Sequence, residues 1–136
     1  MQELELTVVN PPELGRPRGF AHGLLAPAGG RTLFVAGQIA SGVDGRLATD
    51  DFVQQFDGAL ANVLTVVRAA GGRAEHIARM TVYVTNMTAY RDKRHALRDI
   101  WQRHMGAHYP AMALVQVVAL VDERASIEIE AIAVLP

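Results

Sequence analysis

The sequence predicts an α+β fold in which a sheet carries two helices on one of its faces. Residues 51–70 and 88–105 place apolar side chains three and four positions apart, which is the spacing of an amphipathic helix. Shorter segments around them alternate apolar and polar side chains or are apolar throughout, as strands are. The resulting order is strands, helix, strand, helix, strand, strand, and a two-layer arrangement satisfies it.

The elements of the first half are marked by their borders. Prolines and glycines predict loops and short strands before residue 30, with an edge strand over residues 3–8. Residues 31–38 form the next strand. The first helix is predicted over residues 51–70, because the polar residues 49–51 suit a helix start and the glycine pair 71–72 ends it.

The second half is predicted in the same way. Residues 79–85 alternate as a strand. Thr88 is expected to cap a second helix that runs to about Met105. Residues 113–120 and 126–134 are the last two strands.

Composition limits the class of protein. The chain has 136 residues, 50% hydrophobic and 20% charged, which fits a single domain over residues 1–136. A formal net charge of −1 gives no general attraction to nucleic acid or to an anionic membrane. No apolar stretch is long enough to span a bilayer, and the start of the chain lacks a signal-peptide pattern. We therefore expect a cytoplasmic protein with no membrane and no nucleic-acid partner.

No metal or organic cofactor is expected. The absence of cysteine excludes disulfides and thiolate zinc sites. The glycine pairs at 29–30 and 71–72 lack the spacing of a phosphate-binding loop. Lys93, the single lysine, lies among charges on a helix surface, which argues against a Schiff base. The histidines form no metal-binding motif: they are His22, His76, His95, His104 and His108.

Two strands predict an oligomer. In residues 33–37 and 113–120, the side chains that point to either face of the strand are apolar. Both faces of these strands are therefore expected to be buried away from water. Two helices cover only one face of a sheet. Another copy of the chain is the simplest cover for the second face. The alternative is that the N-terminal loops fold over it.

Two places are candidates for chemistry. Glu128 and Glu130 alternate with isoleucines, which puts both carboxylates on one face about 7 Å apart, a spacing that suits paired acid–base work. Solvated residues of an edge strand would give the same pattern. His22 lies in a glycine-flanked segment before the 31–38 strand, and a loop histidine without a role is its alternative. The arginines of the second helix are interleaved with Asp92 and Asp99, which favours a solvated helix face over an RNA-binding one.

Several segments match one family pattern in the right order, from about Arg18 to Pro136. One is the strand ending in Gly37-Gln38, which is similar to a Ser-Gly-Gln strand. The further segments are 59–64, 69–72, 81–85, 109–111 and 127–134. Together they resemble the Rid (YjgF/RidA-like) family.

The resemblance implies a fold and an activity. The fold would be chorismate-mutase-like, with a mixed six-stranded sheet and two helices on one face. The assembly would be a homotrimer with three clefts between its subunits. The best-known members hydrolyse reactive 2-enamine or 2-imine acids to 2-keto acids and ammonia without a cofactor. The site would lie near residues 109–112 and the strand that carries Glu128.

This chain departs from the deaminases at the most informative position. Their Pro-Ala-Arg-Ser motif, whose arginine grips the substrate carboxylate, reads Pro110-Ala111-Met112-Ala113 here. Methionine cannot form a planar, charge-assisted clamp. The family's tyrosine and glutamine near the cleft are replaced by Phe20 and His22.

The resemblance also implies roles for single residues. Glu128 stands where the deaminases orient or activate the attacking water, and we expect it to share proton transfer with His22. The expected substrate-binding residues are Phe20, Met112, Leu114, Arg94, Arg18 and Gln38.

Three functions follow from these residues. The first is a cofactor-free hydrolase or deaminase-like enzyme acting on a small metabolite other than simple 2-imino acids. The second is a non-catalytic small-molecule-binding or chaperone-like trimer. The third is a standard enamine/imine deaminase in which Arg18 or Arg94 replaces the missing arginine. RNA cleavage, a label often attached to the family, is the least favoured interpretation.

Overall fold

The computed structural model describes residues 5–136, so the first part of the predicted 3–8 strand lies outside the described residues. The N-terminal part forms a small antiparallel sheet of β1 (Thr7–Val9) and β2 (Gly23–Leu25). A 3-10 turn at Pro12–Leu14 lies between these strands.

The larger sheet has four strands. They are β3 (Arg31–Gln38), β4 (Ile77–Val84), β5 (Ala111–Gln116) and β6 (Ile127–Leu135), and their order across the sheet is β3-β6-β4-β5. The β4–β5 pair is parallel and the other two pairs are antiparallel, so the sheet is mixed as predicted. The six strands of the described residues are divided over two sheets rather than joined in one.

Helix α1 (Phe52–Ala69) begins and ends within one residue of its predicted bounds. Asp51 caps it, because its carboxylate accepts a hydrogen bond from the backbone N–H of Gln54 at 2.9 Å. Local polar and glycine signals were therefore sufficient to locate this helix.

The second helical segment differs from its prediction. It is divided into α2 (Met87–Asp92) and α3 (Arg94–Met105), with Lys93 at the junction. Asn86 is the cap of α2 instead of Thr88, because its side chain accepts from the N–H of Ala89 at 3.1 Å. The buried side chains of α3 are Leu97, Ile100, Trp101 and Met105.

Helices α1 and α3 cover one face of the larger sheet and bury the core with it. The two helices are also joined at their surface by Asp57, which contacts His104 at 2.5 Å and Arg103 at 3.1 Å. The hydrogen bond from His104 is the largest cause that lowers the pKa of Asp57, and the Arg103 charge adds to it against the effect of burial. The fully buried side chains of the core include Leu60, Leu64, Ile77, Met80, Met105, Ile127 and Ile129.

A buried glutamine joins α1 to the loop before β6. The amide nitrogen of Gln55 donates to the carbonyls of Thr49 and Arg124, at 3.1 and 3.2 Å. Its oxygen accepts from the N–H of Ser126 at 2.7 Å. Because Gln55 is fully buried, these bonds replace the water that its amide loses on folding.

The opposite face of the larger sheet is open in the single chain. Phe34 is 74% exposed and Val115 is 41% exposed, and Ile132 lies between β3 and β4 on the same face. Strand β5 ends at Gln116, before the predicted residue 120, and Val118 beyond it is fully exposed. The helices thus bury one face of these strands. The second copy of the chain that is expected to cover the other face remains a prediction. None of the helices in the described residues is long and apolar enough to cross a membrane.

Candidate functional site

A cavity of about 450 Å³ opens at the β5 edge of the larger sheet. It lies between α3, β5 and the segment that precedes β2. Its lining residues are Arg18, Gly19, Phe56, Val82, Tyr90, Arg94, Leu97, Arg98, Trp101, Gln102, Tyr109, Met112 and Leu114. The volume is within the range of small-molecule pockets.

The inner part of the cavity is apolar and aromatic. Val82, Leu97 and Trp101 are buried, and Met112 is half-buried against them. The ring of Trp101 stacks on that of Tyr109, with centroids 5.7 Å apart and planes 6° from parallel. The indole N–H of Trp101 donates to the His108 carbonyl at 3.2 Å, which holds the stack in place.

The mouth of the cavity is cationic. Arg18, Arg94 and Arg98 line it and are exposed. Within the part of the chain that the structure describes, no carboxylate forms an ion pair with any of them. Arg103, by contrast, pairs with Asp57 on the far side of α3. The positive charge at the mouth is therefore available to an anionic ligand.

Short-range geometry brings the three arginines together. Arg94 and Arg98 are one turn apart on α3, so they project from the same side of the helix. Arg18 reaches the mouth because Ala21 forms a parallel bridge with Ala111 and donates to the Pro110 carbonyl at 3.0 Å. This bridge places residues 18–19 beside the start of β5.

His22 is held by local contacts. Its Nε2 lies 3.1 Å from the Gly15 carbonyl, and its backbone N–H donates to the Asn10 side chain at 2.8 Å. The rings of His22 and Phe20 are perpendicular, with their centroids 5.2 Å apart. Neither His22 nor Phe20 lines the cavity, and the predicted roles of both remain predictions.

Glu128 lies on the open face of the larger sheet. Glu128 and Glu130 are half-buried there, while their neighbours Ile127 and Ile129 are fully buried on the helix side, as the alternation predicted. Strand β6 is central rather than an edge strand. The backbone of Gly37 passes so close that a Cβ at that position would collide with the Glu128 carboxylate.

A tyrosine completes this acidic face. Tyr83 is directly opposite Glu128 on β4, and its hydroxyl donates to Glu130 Oε1 at 2.5 Å. That hydrogen bond is the main cause that raises the pKa of Tyr83, and burial and the two carboxylate charges act in the same direction. The phenol is therefore held in its protonated, donating form.

The structure brings together only some of the predicted site residues. Arg18, Arg94, Met112 and Leu114 line one cavity. Gln38 lies outside it, with its amide donating to the Ala36 carbonyl at 3.2 Å.

Glu128 does not share a cleft with Met112 within one chain. Met112 is opposite Met80 on β4, and Glu128 is opposite Tyr83 on the same strand. Because Met80 and Tyr83 are three residues apart, their side chains point to opposite faces, and so do those of Met112 and Glu128. The expectation of one cleft containing Glu128, Met112 and Leu114 therefore does not hold for a single chain. The role of Glu128 remains a prediction.

Sequence reasoning missed part of the cavity. No site role was predicted for Tyr90 and Trp101, which belong to the apolar stripe of the helical segment, or for Arg98. The available signal was the placement of Arg94 and Arg98 four residues apart beside that stripe, which puts two cations at the border of an apolar surface.

The cavity offers no site for a metal ion. Its lining contains no aspartate, glutamate or histidine. Elsewhere in residues 5–136, no three such side chains are grouped as metal ligands.

The sequence of residues 20–135 matches the family model described as endoribonuclease L-PSP. The chain belongs to the Rid (YjgF/RidA-like) family. Curated Rid relatives include the goat 2-iminobutanoate/2-iminopropanoate deaminase, which is 31% identical over 107 residues, covering 76% of this chain and 73% of that protein. The human deaminase of the same name is 29% identical over the same lengths.

Solved Rid structures show the same fold. A Rid-family protein of unknown function from Yersinia pestis, YyfB, is 33% identical, with a TM-score of 0.86 over 97% of this chain and 100% of that one. The E. coli protein TdcF, solved with bound serine, is 29% identical, with a TM-score of 0.68 over the full length of both chains. At similar identity, the backbone is thus much closer to YyfB than to TdcF.

Proposed function

We propose that this chain is a cytoplasmic Rid-family homotrimer that hydrolyses an imine-type C–N bond in a small carboxylate-bearing metabolite without a cofactor. One observation carries the proposal: Arg18 and Arg94 line the same cavity as Met112. These arginines can supply, from the mouth of the cavity, the positive charge that the deaminases hold at the position of Met112.

Carboxylate binding follows from the charges of this cavity. Moving a carboxylate out of water onto an apolar wall without a cation is costly. A guanidinium at the mouth removes that cost with a planar, charge-assisted pair of hydrogen bonds. Because Arg18, Arg94 and Arg98 have no carboxylate partner within the described residues, a ligand meets no competition for them.

The hydrolytic step requires a group from the other face of the sheet. The family resemblance assigns to Glu128 the role of orienting or activating the attacking water. Its carboxylate lies across the sheet from the cavity of its own chain. The proposal therefore requires a second copy that packs on the open face, against the exposed Phe34 and Val115, and presents its own cavity edge to this carboxylate. Each site is then formed by the arginines of one subunit and Glu128 of its neighbour.

The reaction balances without an oxidant or a reductant. Glu128 takes a proton from water as the water oxygen bonds to the imine carbon. The C–N bond then breaks as the proton is returned to nitrogen. Both protons of the water end on nitrogen, ammonia leaves, and the carbon keeps the oxygen as a ketone.

One difference in sequence supports a substrate that differs from the simple 2-imino acids. Met112 replaces the arginine with which the deaminases of the family hold the substrate carboxylate, so a carboxylate in this cavity must be bound from another direction.

A second candidate function is ligand binding without turnover. The observation that favours it is the lining of the cavity, which contains cations and aromatic rings but no carboxylate and no histidine. Hydrolysis at this site depends wholly on the neighbouring subunit.

Mixed assemblies test the shared site. Glu128→Gln and Arg94→Ala are prepared separately and then refolded as an equimolar mixture. Ammonia and 2-keto acid release are followed with 2-iminobutyrate and with the 2-imino acid of phenylalanine, both formed in the assay. Each variant alone is expected to be inactive. In a cyclic trimer, random mixing leaves about one quarter of the sites with both native residues, so about one quarter of the wild-type rate should return.

Three outcomes would contradict the proposal. Inactive single variants without recovery on mixing would place Arg94 and Glu128 outside a shared site. Full activity in both single variants would remove these residues from the reaction. A wild-type protein that binds the corresponding 2-keto acids but releases no ammonia from either imine would establish the binding function instead.

A further inference from the structure

We propose that the cavity selects carboxylates with a long apolar or aromatic side chain, bound with that side chain inward and the carboxylate at the mouth. This inference rests on the proposed function and specifies its substrate class. It derives from the order of the lining residues along the depth of the cavity.

The polarity of the cavity changes in one direction. The buried residues Val82, Leu97 and Trp101 form its inner end, and the exposed Arg94 and Arg98 form its mouth. A ligand carboxylate at the inner end would be desolvated against hydrocarbon, whereas at the mouth it meets two guanidinium groups. The apolar part of the ligand must therefore point inward.

The size of the cavity favours a large side chain. Its volume of about 450 Å³ is within the range of pockets that enclose ligands much larger than a three- or four-carbon acid. A short acid held at the mouth would leave the apolar end without contacts. A longer side chain fills that end and removes apolar surface from water.

The inner end also offers a surface for an aromatic ring. One face of Tyr109 is covered by Trp101, which stacks on it nearly in parallel. Tyr109 lines the cavity and is half-buried, so part of its ring remains for a ligand. Met112 stands beside it, and a flexible, polarisable thioether adapts to rings of different shape.

Calorimetric titration of the intact protein tests the selection with stable 2-keto acids. The probes are phenylpyruvate, 2-oxobutyrate and phenylacetone, which has the ring and ketone of phenylpyruvate but no carboxylate. Phenylpyruvate is expected to bind at least tenfold more tightly than either of the others. The double variant Arg94→Gln, Arg98→Gln should weaken phenylpyruvate at least tenfold and leave phenylacetone unchanged.

Two further variants assign the effect to the cavity. Arg91→Gln removes one exposed cation of α2 that does not line the cavity, and it should bind phenylpyruvate like the wild type. Tyr109→Leu should reduce the preference for phenylpyruvate over 2-oxobutyrate while keeping the affinity for 2-oxobutyrate. Unchanged thermal midpoints show that the variants are folded.

The outcomes separate this inference from the proposed function. Equal affinities for phenylpyruvate and 2-oxobutyrate, both lowered by the double arginine variant, overturn the side-chain selection but leave a carboxylate site in place. Binding that is insensitive to the arginines, or no binding of any of the acids, overturns the carboxylate site and with it both proposals.

Discussion

The two faces of the larger sheet carry different sets of chemical groups. On the helix side, at the β5 edge, lies a cavity with Arg18, Arg94 and aromatic rings but no carboxylate. On the open side lie Glu128, Glu130 and the hydroxyl of Tyr83 with no cation among the cross-strand partners of the two glutamates. The same strands supply both faces, because successive side chains point to opposite sides.

The difference teaches that one chain keeps the arginines of the cavity apart from Glu128, because the sheet lies between them. Under the proposed function, hydrolysis depends on a second copy, whereas ligand binding needs only one. Experiments that affect one face at a time therefore distinguish the requirements of assembly from those of folding.

The largest effect is expected on the open face. Phe34→Glu places a charge at the most exposed apolar side chain of this face and should abolish association, because burying the charge without a partner is costly. Size-exclusion chromatography with light scattering should show a folded monomer. Val43→Glu, at a fully exposed valine in a loop outside the sheets, should still assemble. A trimer in the Phe34 variant would mean that this face is not the interface.

A smaller effect is expected on the helix side. Gln55→Leu leaves the carbonyls of Thr49 and Arg124 and the N–H of Ser126 without their buried partner. The free energy of unfolding should fall by about 3 kcal/mol, measured by urea denaturation at several protein concentrations. The loss should be the same at each concentration, unlike the effect of the Phe34 variant.

The neighbouring glutamine is the control for this effect. Gln54→Leu changes an exposed side chain of the same helix and should cost less than about 1 kcal/mol. Equal losses in the two variants would show that the hydrogen bonds of Gln55 do not stabilise the fold.

The smallest effect depends on pH. Since the pKa of Asp57 is lowered in the folded state, its pairing with His104 and Arg103 stabilises the fold above its ordinary pKa of 3.8. That contribution is lost as the pH falls through the lowered value. Asp57→Asn should therefore be less stable than the wild type at pH 5, and the difference should vanish in stronger acid.

The magnitude is limited by solvent. Because 40% of the Asp57 side chain is exposed, the difference at pH 5 should be about 0.5 kcal/mol. Asp92→Asn, an exposed position on α2, is the control and should leave the pH profile unchanged. A difference that persists at pH 2 would assign the stabilisation to a cause other than the charge of Asp57.

The local parts of the fold could be predicted from the sequence. Strand β3 has its predicted bounds, and α1 is within one residue of them, because alternation, caps and glycines act over a few residues. The start of the second helix was predicted two residues late, since Asn86 and Thr88 are both suitable caps. Its division at Lys93 was not predicted, because no glycine or proline marks that position.

The site was predictable only in part. Arg18, Arg94 and Met112 were placed together by their positions in the family pattern. The separation of Glu128 from them was not predictable, because β5 is apolar at both parities and its sequence does not decide which face is the core. The face that becomes the core is determined by the pairing of β4 with β5 and β6, and these strands are distant from β4 in the sequence.

The close passage of Gly37 beside Glu128 makes these two positions interdependent. A methyl group at position 37 would meet only the flexible end of the glutamate, so the strand would tolerate it and the carboxylate would turn aside. A change that leaves the charge and the fold intact would thus redirect the acid. Across related sequences, a side chain larger than glycine at position 37 should occur together with a shorter residue at position 128.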